Sequence, residues 1–385
     1  MTTETDRPAG RPGDLPAGEH PEEARLDEDI PQRILRHGGH SPAVTAFAEA
    51  LDRAATAEDT TRTARKHGRA LWRNAARRLR ETDGDDRPLY WSRLAMARTL
   101  RERRGDVPEA MTALELASRG QEGNRLPAGE DRLRILVTGF DPFRLDEDLR
   151  RSNPSGAAVL AVHGTTLRTP SGRTAHIEGV IFPVRWADFT AGAVESALDP
   201  YLAPGPRQAD LFLTLSQGRR GAFDLERYNG AWRGGGTDNT GATAGGPVPV
   251  PGGPHPAWTV SSLPYRELTA EAGVTGRFPV RDRTAVTEVP AGGTDPVERP
   301  DGPTDGSAAR AGGGGDYLSN EIAYRATLLR DTLDERIPGG HLHTPALVFA
   351  EDNTDGITDR TLVADRQAIT SQLRALLTRA AESLG

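Results

Sequence analysis

The sequence predicts an α/β protein in which helices cover both faces of a mostly parallel, twisted sheet, giving three layers. A small all-α region and a disordered N-terminal tail are predicted to precede this domain. In the second part of the chain, short aliphatic and β-branched runs alternate with amphipathic helical patterns, whereas the first part shows helical periodicity alone. A length of 385 residues is sufficient for two domains and a well-buried core.

Composition narrows the classes of function. The chain contains no cysteine, which excludes disulfides, thiolate metal sites and a cysteine nucleophile. A formal net charge of -7 argues against nucleic-acid binding by the protein as a whole. Because no segment approaches the roughly 18 apolar residues of a membrane span, and the N-terminus lacks an apolar signal region, we expect a cytoplasmic protein without a membrane partner.

Residues 1–33 are rich in proline, glycine and acidic side chains without periodicity, which predicts the disordered tail. Four short amphipathic helices are then predicted in a helical region, residues 34–120, from cap and proline signals. They begin near Ser41, before Leu71, near Pro88 and after Asp106, and the last two end at Gly105 and Gly120. A small helical bundle is therefore expected.

The helical region is dense in arginine, which would suit a patch for nucleic acid or an acidic partner. A solvated helix face balanced by nearby acidic residues is the alternative, and the lack of interleaved aromatic residues favours it. We therefore expect no nucleic-acid partner. The arginines concerned are Arg65, Arg69, Arg73, Arg77, Arg78 and Arg80, and Arg98, Arg101, Arg103 and Arg104.

A polar linker, residues 121–131, leads into the predicted α/β domain, residues 132–385. Its first strand, residues 134–138, is a buried parallel type that ends abruptly in glycine and proline, and ligand sites gather at such strand ends. Further strands are predicted at 176–182, 211–215 and 347–350, with helices from Asn153 and over 365–383. Gly/Pro-rich insertions at 234–256 and 291–315 are predicted to be surface loops near a site.

Three side chains stand out by their settings. Ser319 follows a glycine run at a predicted helix start, His343 lies near a strand end, and Glu226 comes just after a buried strand. A nucleophile, a base and a carboxylate that orients the base are the components of acyl transfer. The alternatives are a helix cap for Ser319, a structural role for His343, and a surface salt bridge between Glu226 and Arg227.

Several short motifs follow one another along the second part of the chain. They are Val-Thr-Gly-Phe-Asp-Pro-Phe (137–143), Asn-Pro-Ser (153–155), Glu-Arg (226–227), Asp-Asn (238–239), Trp-Thr-Val-Ser-Ser-Leu-Pro (258–264), Gly-Asp-Tyr-Leu-Ser-Asn (315–320) and His-Thr-Pro (343–345). Over residues 132–385 the chain resembles the pyroglutamyl peptidase I (pyrrolidone-carboxylate peptidase) family. That resemblance implies a single α/β/α domain of a cytosolic cysteine peptidase that removes an N-terminal pyroglutamyl residue without a metal or cofactor.

The resemblance also implies roles for individual residues. Glu226 and His343 match the catalytic glutamate and histidine of the family, and Ser319 matches its catalytic cysteine. Replacing sulfur by oxygen changes the chemistry, because an alcohol must lose its proton during attack to a closely aligned base, whereas a thiol with a pKa of about 8.5 ionises readily. The match therefore predicts that the Ser319 hydroxyl lies within hydrogen-bonding reach of His343.

Phe140 and Phe143 match the phenylalanines that enclose the lactam ring in that family, although ordinary core packing is an equal alternative. Arg233 is a weaker match for a positive side chain near the oxyanion, because its spacing differs. The alanine of the nucleophile motif is replaced by Gly314. His341 and His343 would share one face of a strand, but no third metal ligand is apparent and no metal site is expected.

Together these observations predict a hydrolase that removes a pyroglutamyl or similar small cyclic amide group by Ser-His-Glu acyl transfer, acting as an omega peptidase. The alternative is an impaired pseudoenzyme that binds such ends, or a protein partner, without cleavage. A peptide or small amide substrate, no cofactor and a possible homo-oligomer are expected.

Overall fold

The computed structural model of the chain describes residues 20–129, 132–269 and 276–384. Within those ranges, no helix has both the length and the apolar character needed to cross a bilayer.

The helical region contains one more helix than the sequence predicts. Proline occupies the first turn of three of these helices, where its missing amide is tolerated. Val107, and not Asp106, is the N-cap residue of the last one. After a short 3-10 helix, Glu23–Asp27, the helices are α1 (Asp29–Gly38), α2 (Ser41–Arg53), α3 (Ala57–Glu81), α4 (Arg87–Arg104) and α5 (Pro108–Ser118).

The predicted boundary of the disordered tail at residue 33 is wrong. Residues 1–19 lie outside the described residues, but the chain from residue 20 is helical and packed. Leu26 is completely buried, and the carboxylates of Glu22 and Glu23 pair with Arg185 and Arg101. The acidic composition that suggested disorder instead supplies partners for arginines distant in sequence.

The α/β domain begins at the first strand. Its strands are β1 (Leu133–Phe140), β2 (Thr166–Arg168), β3 (Thr174–Phe182), β4 (Leu211–Gln217), β5 (Phe223–Glu226), β6 (Tyr228–Gly230), β7 (Trp232–Thr237), β8 (Thr243–Pro247), β9 (Trp258–Val260), β10 (Val280–Arg283), β11 (Val286–Val289), β12 (Val297–Arg299), β13 (Ala308–Ala311) and β14 (Gly339–Thr344). Its helices are α6 (Pro154–Val162), α7 (Trp186–Thr190), α8 (Ala193–Leu202), α9 (Tyr265–Thr269), α10 (Leu318–Leu333) and α11 (Arg360–Glu382).

Seven strands form the main sheet in the order β10-β5-β14-β4-β1-β3-β2. The four central strands, β14, β4, β1 and β3, are mutually parallel. At the two ends of this group, β5 runs antiparallel to β14 and β2 runs antiparallel to β3. The carboxyl ends of the central strands therefore meet at one edge, which is where ligand sites form in parallel sheets.

Successive side chains of β1 point to opposite faces of the sheet, and helices pack on both faces to give three layers. Ile135 and Val137 face a core that includes side chains of α6 and α11, whereas Leu136 and Phe140 face a second core formed with α8 and α10. The predicted three-layer, mostly parallel α/β fold is confirmed. The first core also contains α3 and α5 residues such as Leu71 and Leu114, so the helical region and the sheet share one apolar interior.

One predicted strand is misplaced. Residues 347–350 are irregular, and the strand beside β4 is β14, at Gly339–Thr344. Pro345 ends this strand because proline has no amide proton for the next ladder bond. The apolar residues 347–350 favour a strand by composition. The place beside β4 is instead occupied by β14, which contains two glycines and two histidines.

The two insertions are not simple loops. β7 pairs with β8 inside the first insertion, and β11, β12 and β13 form a three-stranded sheet around the second. A Cβ atom at Gly234 would overlap the Asp316 carboxylate, and one at Gly236 would lie 2.9 Å from the Tyr317 ring. The glycines of the first insertion thus permit close packing against the residues just before Ser319.

Candidate functional site

His343 and Glu226 are diagonal neighbours on two antiparallel strands. β14 lies beside β5, with His343 opposite Asp224 and His341 opposite Glu226, so the side chains of His343 and Glu226 can meet. His343 Nδ1 lies 2.9 Å from Glu226 Oε1, and both side chains are almost completely buried. Because a carboxylate can only accept, Nδ1 carries the proton and Nε2 is left as the basic nitrogen. Arg227 pairs with Asp282 at 2.6 Å, so Glu226 is not its salt-bridge partner.

A glycine loop, residues 312–315, lies directly over this pair. A Cβ atom at Gly313 would lie 2.3 Å from Glu226 Oε2, and one at Gly314 would lie 2.8 Å from His343 Cε1. Glu226 Oε2 is buried and has no hydrogen-bond partner among the described residues. Position 314 therefore requires glycine for a steric reason, where the nucleophile motif of the pyroglutamyl peptidase I family has alanine.

Ser319 lies close to the same loop, in the first turn of α10. It is the second residue of the helix and not its cap, since Tyr317 holds the N-cap position without a side-chain capping bond. The first amides of a helix have no intrahelical acceptor, which leaves donors at this end. Ser319 therefore does not cap α10, and the helix-cap alternative is wrong.

The Ser319 hydroxyl does not bond to His343. It donates to the carbonyl oxygen of Gly314 at 3.1 Å, and His343 Nε2 makes no hydrogen bond within the parts of the chain that are described. The expected contact between nucleophile and base is thus absent in this conformation, while the base and its carboxylate are in contact. Gly314 contacts both side chains: its carbonyl oxygen accepts from the Ser319 hydroxyl, and its Cα lies close to the His343 ring.

A small cavity of about 40 Å³ lies beside Ser319 and contains both predicted phenylalanines in its wall. Phe140 stacks on Phe189, with ring centres 6.0 Å apart, and Phe143 stacks on Tyr317 at 6.3 Å. Phe140 therefore serves the core and the cavity at once. The lining residues are Phe140, Phe143, Asn153, Val184, Ser216, Gln217, Tyr317, Leu318 and Ser319.

Arg233 is engaged elsewhere. Its guanidinium forms a two-pronged pair with the fully buried Glu321, with both N–O distances 2.6 Å, and a third nitrogen donates to Thr190 at 2.9 Å. Arg325 also donates to Glu321, at 2.7 Å. These contacts give the guanidinium a structural partner on α10 and offer no support for its predicted place at the oxyanion.

His341 is completely buried beneath the cavity. Its Nδ1 lies 2.8 Å from Thr214 Oγ1 and its Nε2 lies 2.9 Å from Ser216 Oγ. Burial, with a smaller effect from nearby His343, holds the pKa of His341 well below its usual value. Both ring nitrogens are occupied, and the described residues contain no group of three or more side chains able to hold a metal ion.

The helical region supports the cavity from behind. Arg93 on α4 and Arg119 after α5 both donate to the carboxylate of Asp141 at 2.9 Å, between the two phenylalanines of the wall. Asp86 accepts from the amide of Asn153 at 3.0 Å and from the Ser152 hydroxyl. The segments carrying Phe140, Phe143 and Asn153 are thus held by buried charges from outside the α/β domain.

Family comparison covers both parts of the chain. Residues 134–256 and 274–348 match the protein family described as "PA0049, C-terminal domain", and residues 6–119 match the one described as "PA0049 N-terminal domain". The chain belongs to the PA0049 family. The uncharacterized protein PA0049 of Pseudomonas aeruginosa strain PAO1 is 31% identical to this chain, in an alignment that covers 92% of this chain and 88% of that protein.

Solved structures similar to this PA0049-family chain include pyroglutamyl peptidase I of Bacillus amyloliquefaciens. It is 21% identical, with a TM-score of 0.44, and the alignment covers 65% of this chain and 98% of that one. A mutant pyrrolidone carboxyl peptidase from Pyrococcus furiosus is 19% identical, with a TM-score of 0.45, covering 66% and 100% of the two chains.

Sequence reasoning missed several polar residues around the site of this PA0049-family member. Thr214 and Ser216 occupy alternate positions of a largely apolar strand, β4, and this alternation is the signal that the sequence offers. Their contact with His341 depends on the register of β14 against β4, which local patterns do not encode. The arginines that hold Asp141, Arg93 and Arg119, precede residues 132–385, over which the sequence resembles the pyroglutamyl peptidase I family.

Proposed function

We propose that this protein is an amide hydrolase that removes a pyroglutamyl or similar small cyclic amide group from the N-terminus of a peptide. The observation that carries the proposal is the 2.9 Å contact between His343 Nδ1 and Glu226 Oε1. Ser319 lines a cavity with Phe140 and Phe143 in its wall. His343 and Glu226 do not line that cavity, but Gly314 contacts both His343 and the Ser319 hydroxyl. The ordered motifs shared with pyroglutamyl peptidases supply the substrate class.

In the proposed reaction, Ser319 Oγ attacks the carbonyl carbon of the scissile amide while its proton passes to His343 Nε2. Glu226 accepts from Nδ1 throughout, which fixes the orientation of the ring and stabilises the imidazolium. The C–N bond then breaks as His343 returns the proton to the leaving amine. Water, activated by the same nitrogen, hydrolyses the acyl-serine ester and releases the cyclic acid.

The negative oxygen formed during attack is proposed to be held by the amides at the start of α10. Two features support this role. No side chain caps that end of the helix, and the positive end of the helix dipole favours an anion there. Donors fixed before reaction stabilise charge as it develops, without reorganisation.

Hydrolysis of pyroglutamyl 4-nitroanilide by the purified protein tests the proposal. We expect turnover in the wild type and none above background in Ser319→Ala. Ser383→Ala is the matched control, because its hydroxyl bonds only to the backbone near the end of α11. Wild-type turnover equal to that of Ser319→Ala would remove the catalytic claim.

A second candidate function is binding of the same group without cleavage. The observation that favours it is the hydrogen bond from Ser319 to the Gly314 carbonyl, which turns the hydroxyl away from His343. Attack requires this bond to break first, although catalytic hydrogen bonds often align only when substrate is present. Binding of pyroglutamyl peptides without product, with hydrolysis gained in Ser319→Cys, would identify this second function.

A further inference from the structure

A hydrogen-bonded chain of side chains lies beneath the cavity and takes no part in the proposed reaction. It runs from Thr214 through His341 to Ser216, with contacts of 2.8 and 2.9 Å. All three residues are buried, and only Ser216 lines the cavity. Buried polar groups of this kind hold a fixed pattern of donors and acceptors.

The direction of the chain follows from its first member. The Thr214 hydroxyl has one proton and two neighbours, the Gly340 carbonyl oxygen at 3.2 Å and His341 Nδ1 at 2.8 Å. Because the carbonyl oxygen can only accept, whereas Nδ1 can also donate, the hydroxyl proton is assigned to the carbonyl and the Thr214 oxygen accepts from His341 Nδ1–H. A neutral imidazole carries only that one proton, so Nε2 accepts from the Ser216 hydroxyl. The proton of Ser216 is consequently committed to His341, and an oxygen lone pair remains for a ligand.

Ser216 and His341 form a serine-histidine pair with good geometry, yet they do not resemble a nucleophile and its base. His341 has a neutral hydroxyl behind it, whereas His343 has a carboxylate. Complete burial also keeps His341 from holding a second proton. A base that cannot accept the proton cannot activate the serine, so the pair acts by orientation.

We propose that Ser216 Oγ is the acceptor for a ring N–H of the bound ligand and so selects lactams over lactones. This inference rests on the proposed function. An apolar wall with one fixed acceptor suits a small cyclic amide, because its N–H would otherwise be buried without a partner. A lactone would place a ring oxygen against the Ser216 lone pair, where no proton is available.

The test measures binding in the Ser319→Ala background, where no turnover interferes. The probes are 5-oxoproline amide and its lactone analogue, 5-oxotetrahydrofuran-2-carboxamide, compared by calorimetry. We expect the lactam to bind about 10-fold or more tightly, as for one buried hydrogen bond. Adding Ser216→Ala should bring the two affinities together.

A second variant addresses the orientation itself. Thr214→Val keeps the side-chain shape but removes the acceptor of His341 Nδ1–H, so the imidazole proton moves to Nε2 and frees the Ser216 proton to point into the cavity. The lactone then gains a donor, and we expect the lactam preference to fall. Thr138→Val is the matched control, since Thr138 lies opposite Thr214 on β1 and its buried hydroxyl has no partner within the described ranges.

Equal affinities for the two probes in Ser319→Ala, or a preference that survives both Ser216→Ala and Thr214→Val, would overturn this inference and leave the proposed function standing. Failure of both probes to bind would also overturn this inference, whereas the proposed function is decided separately by hydrolysis of pyroglutamyl 4-nitroanilide.

Discussion

Gly314 determines whether the imidazole of His343 keeps its position. Since a Cβ atom there would lie 2.8 Å from His343 Cε1, the ring or the loop must move. We expect Gly314→Ala to destabilise the fold by about 1 to 3 kcal/mol, as for overpacking, and to weaken any hydrolysis. Urea unfolding measures the first effect.

Gly205→Ala is the matched control for this substitution, because a Cβ atom at Gly205 meets nothing within 4 Å. Equal stability of the two variants would contradict the steric role of the loop.

At the residue scale, the sequence predicts some of the site well and some of it poorly. Glu226 and His343 were found because each lies in a short motif beside a strand, and their contact then needs only the correct pairing of β5 with β14. The contact of Ser216 with His341 is not predicted, because it depends on the pairing of β14 with β4, which places His341 opposite Thr214. Local patterns do not specify which strands are neighbours in a sheet.

Among the elements, α10 depends on one buried carboxylate. Glu321 is fully buried and accepts from two arginines, Arg233 and Arg325. Glu321→Gln leaves the buried Arg233 without its carboxylate partner and removes one of the two carboxylates on Arg325, which keeps Glu195 at 2.7 Å. We expect a loss of about 3 to 5 kcal/mol in the free energy of unfolding. Chemical denaturation followed by circular dichroism provides the measurement.

Glu147 offers a comparison with the same chemistry at the surface. It also contacts two arginines, Arg144 and Arg151, but about half of its side chain is exposed. We expect Glu147→Gln to cost less than about 1 kcal/mol. Losses of similar size for Glu147→Gln and Glu321→Gln would show that burial is not the cause.

The connection between α4 and the cavity should depend on pH. Burial, and then the neighbouring carboxylate of Asp85, raise the pKa of Asp86 to about 6 from its ordinary value of 3.8. The folded protein therefore holds this proton more tightly than the unfolded chain. The contribution of Asp86 to stability is complete below about pH 4 and declines as the pH rises through 6, by up to about 3 kcal/mol.

Unfolding free energies of the wild type and Asp86→Asn, measured from pH 4 to 7, test this prediction. We expect the wild type to lose stability relative to the variant across that interval. Asp29→Asn, at an exposed carboxylate on α1, should run parallel to the wild type. A constant difference between the wild type and Asp86→Asn would show that Asp86 does not bind its proton preferentially in the folded state.

Across the whole molecule, the helical region and the sheet should unfold together. Leu71 and Leu114 belong to the same apolar core as Val159 of α6 and Leu377 of α11. Separating the two parts would expose that core, so we expect one cooperative transition. Hydrogen exchange at increasing urea, read for each region by mass spectrometry, should give a single midpoint. Loss of protection in the helical region at lower urea would contradict this coupling.

The overall architecture shows where prediction from sequence stops. Alternating strand and helix patterns are local, and they identified the three-layer fold. The docking of residues 20–38 depends on apolar contacts of Leu26 and Ile34 with α4 and on long-range ion pairs, and Asp141 is also held by long-range ion pairs. No local pattern indicates such contacts. The acidic N-terminal composition predicts a tail, because the partners of its carboxylates, such as Arg101 and Arg185, lie far along the chain.

The glycine loop over Glu226 and His343 has a consequence for mutational tolerance. Glycine-rich segments usually accept substitution and insertion freely, and composition classes residues 312–315 with the rest of the Gly/Pro-rich insertion at 291–315. Here the loop backbone packs directly on the side chains of Glu226 and His343, so even a methyl group at Gly313 or Gly314 would overlap them. In a library selected for function, positions 313 and 314 should admit fewer residues than the surface of α3, although they look like a linker.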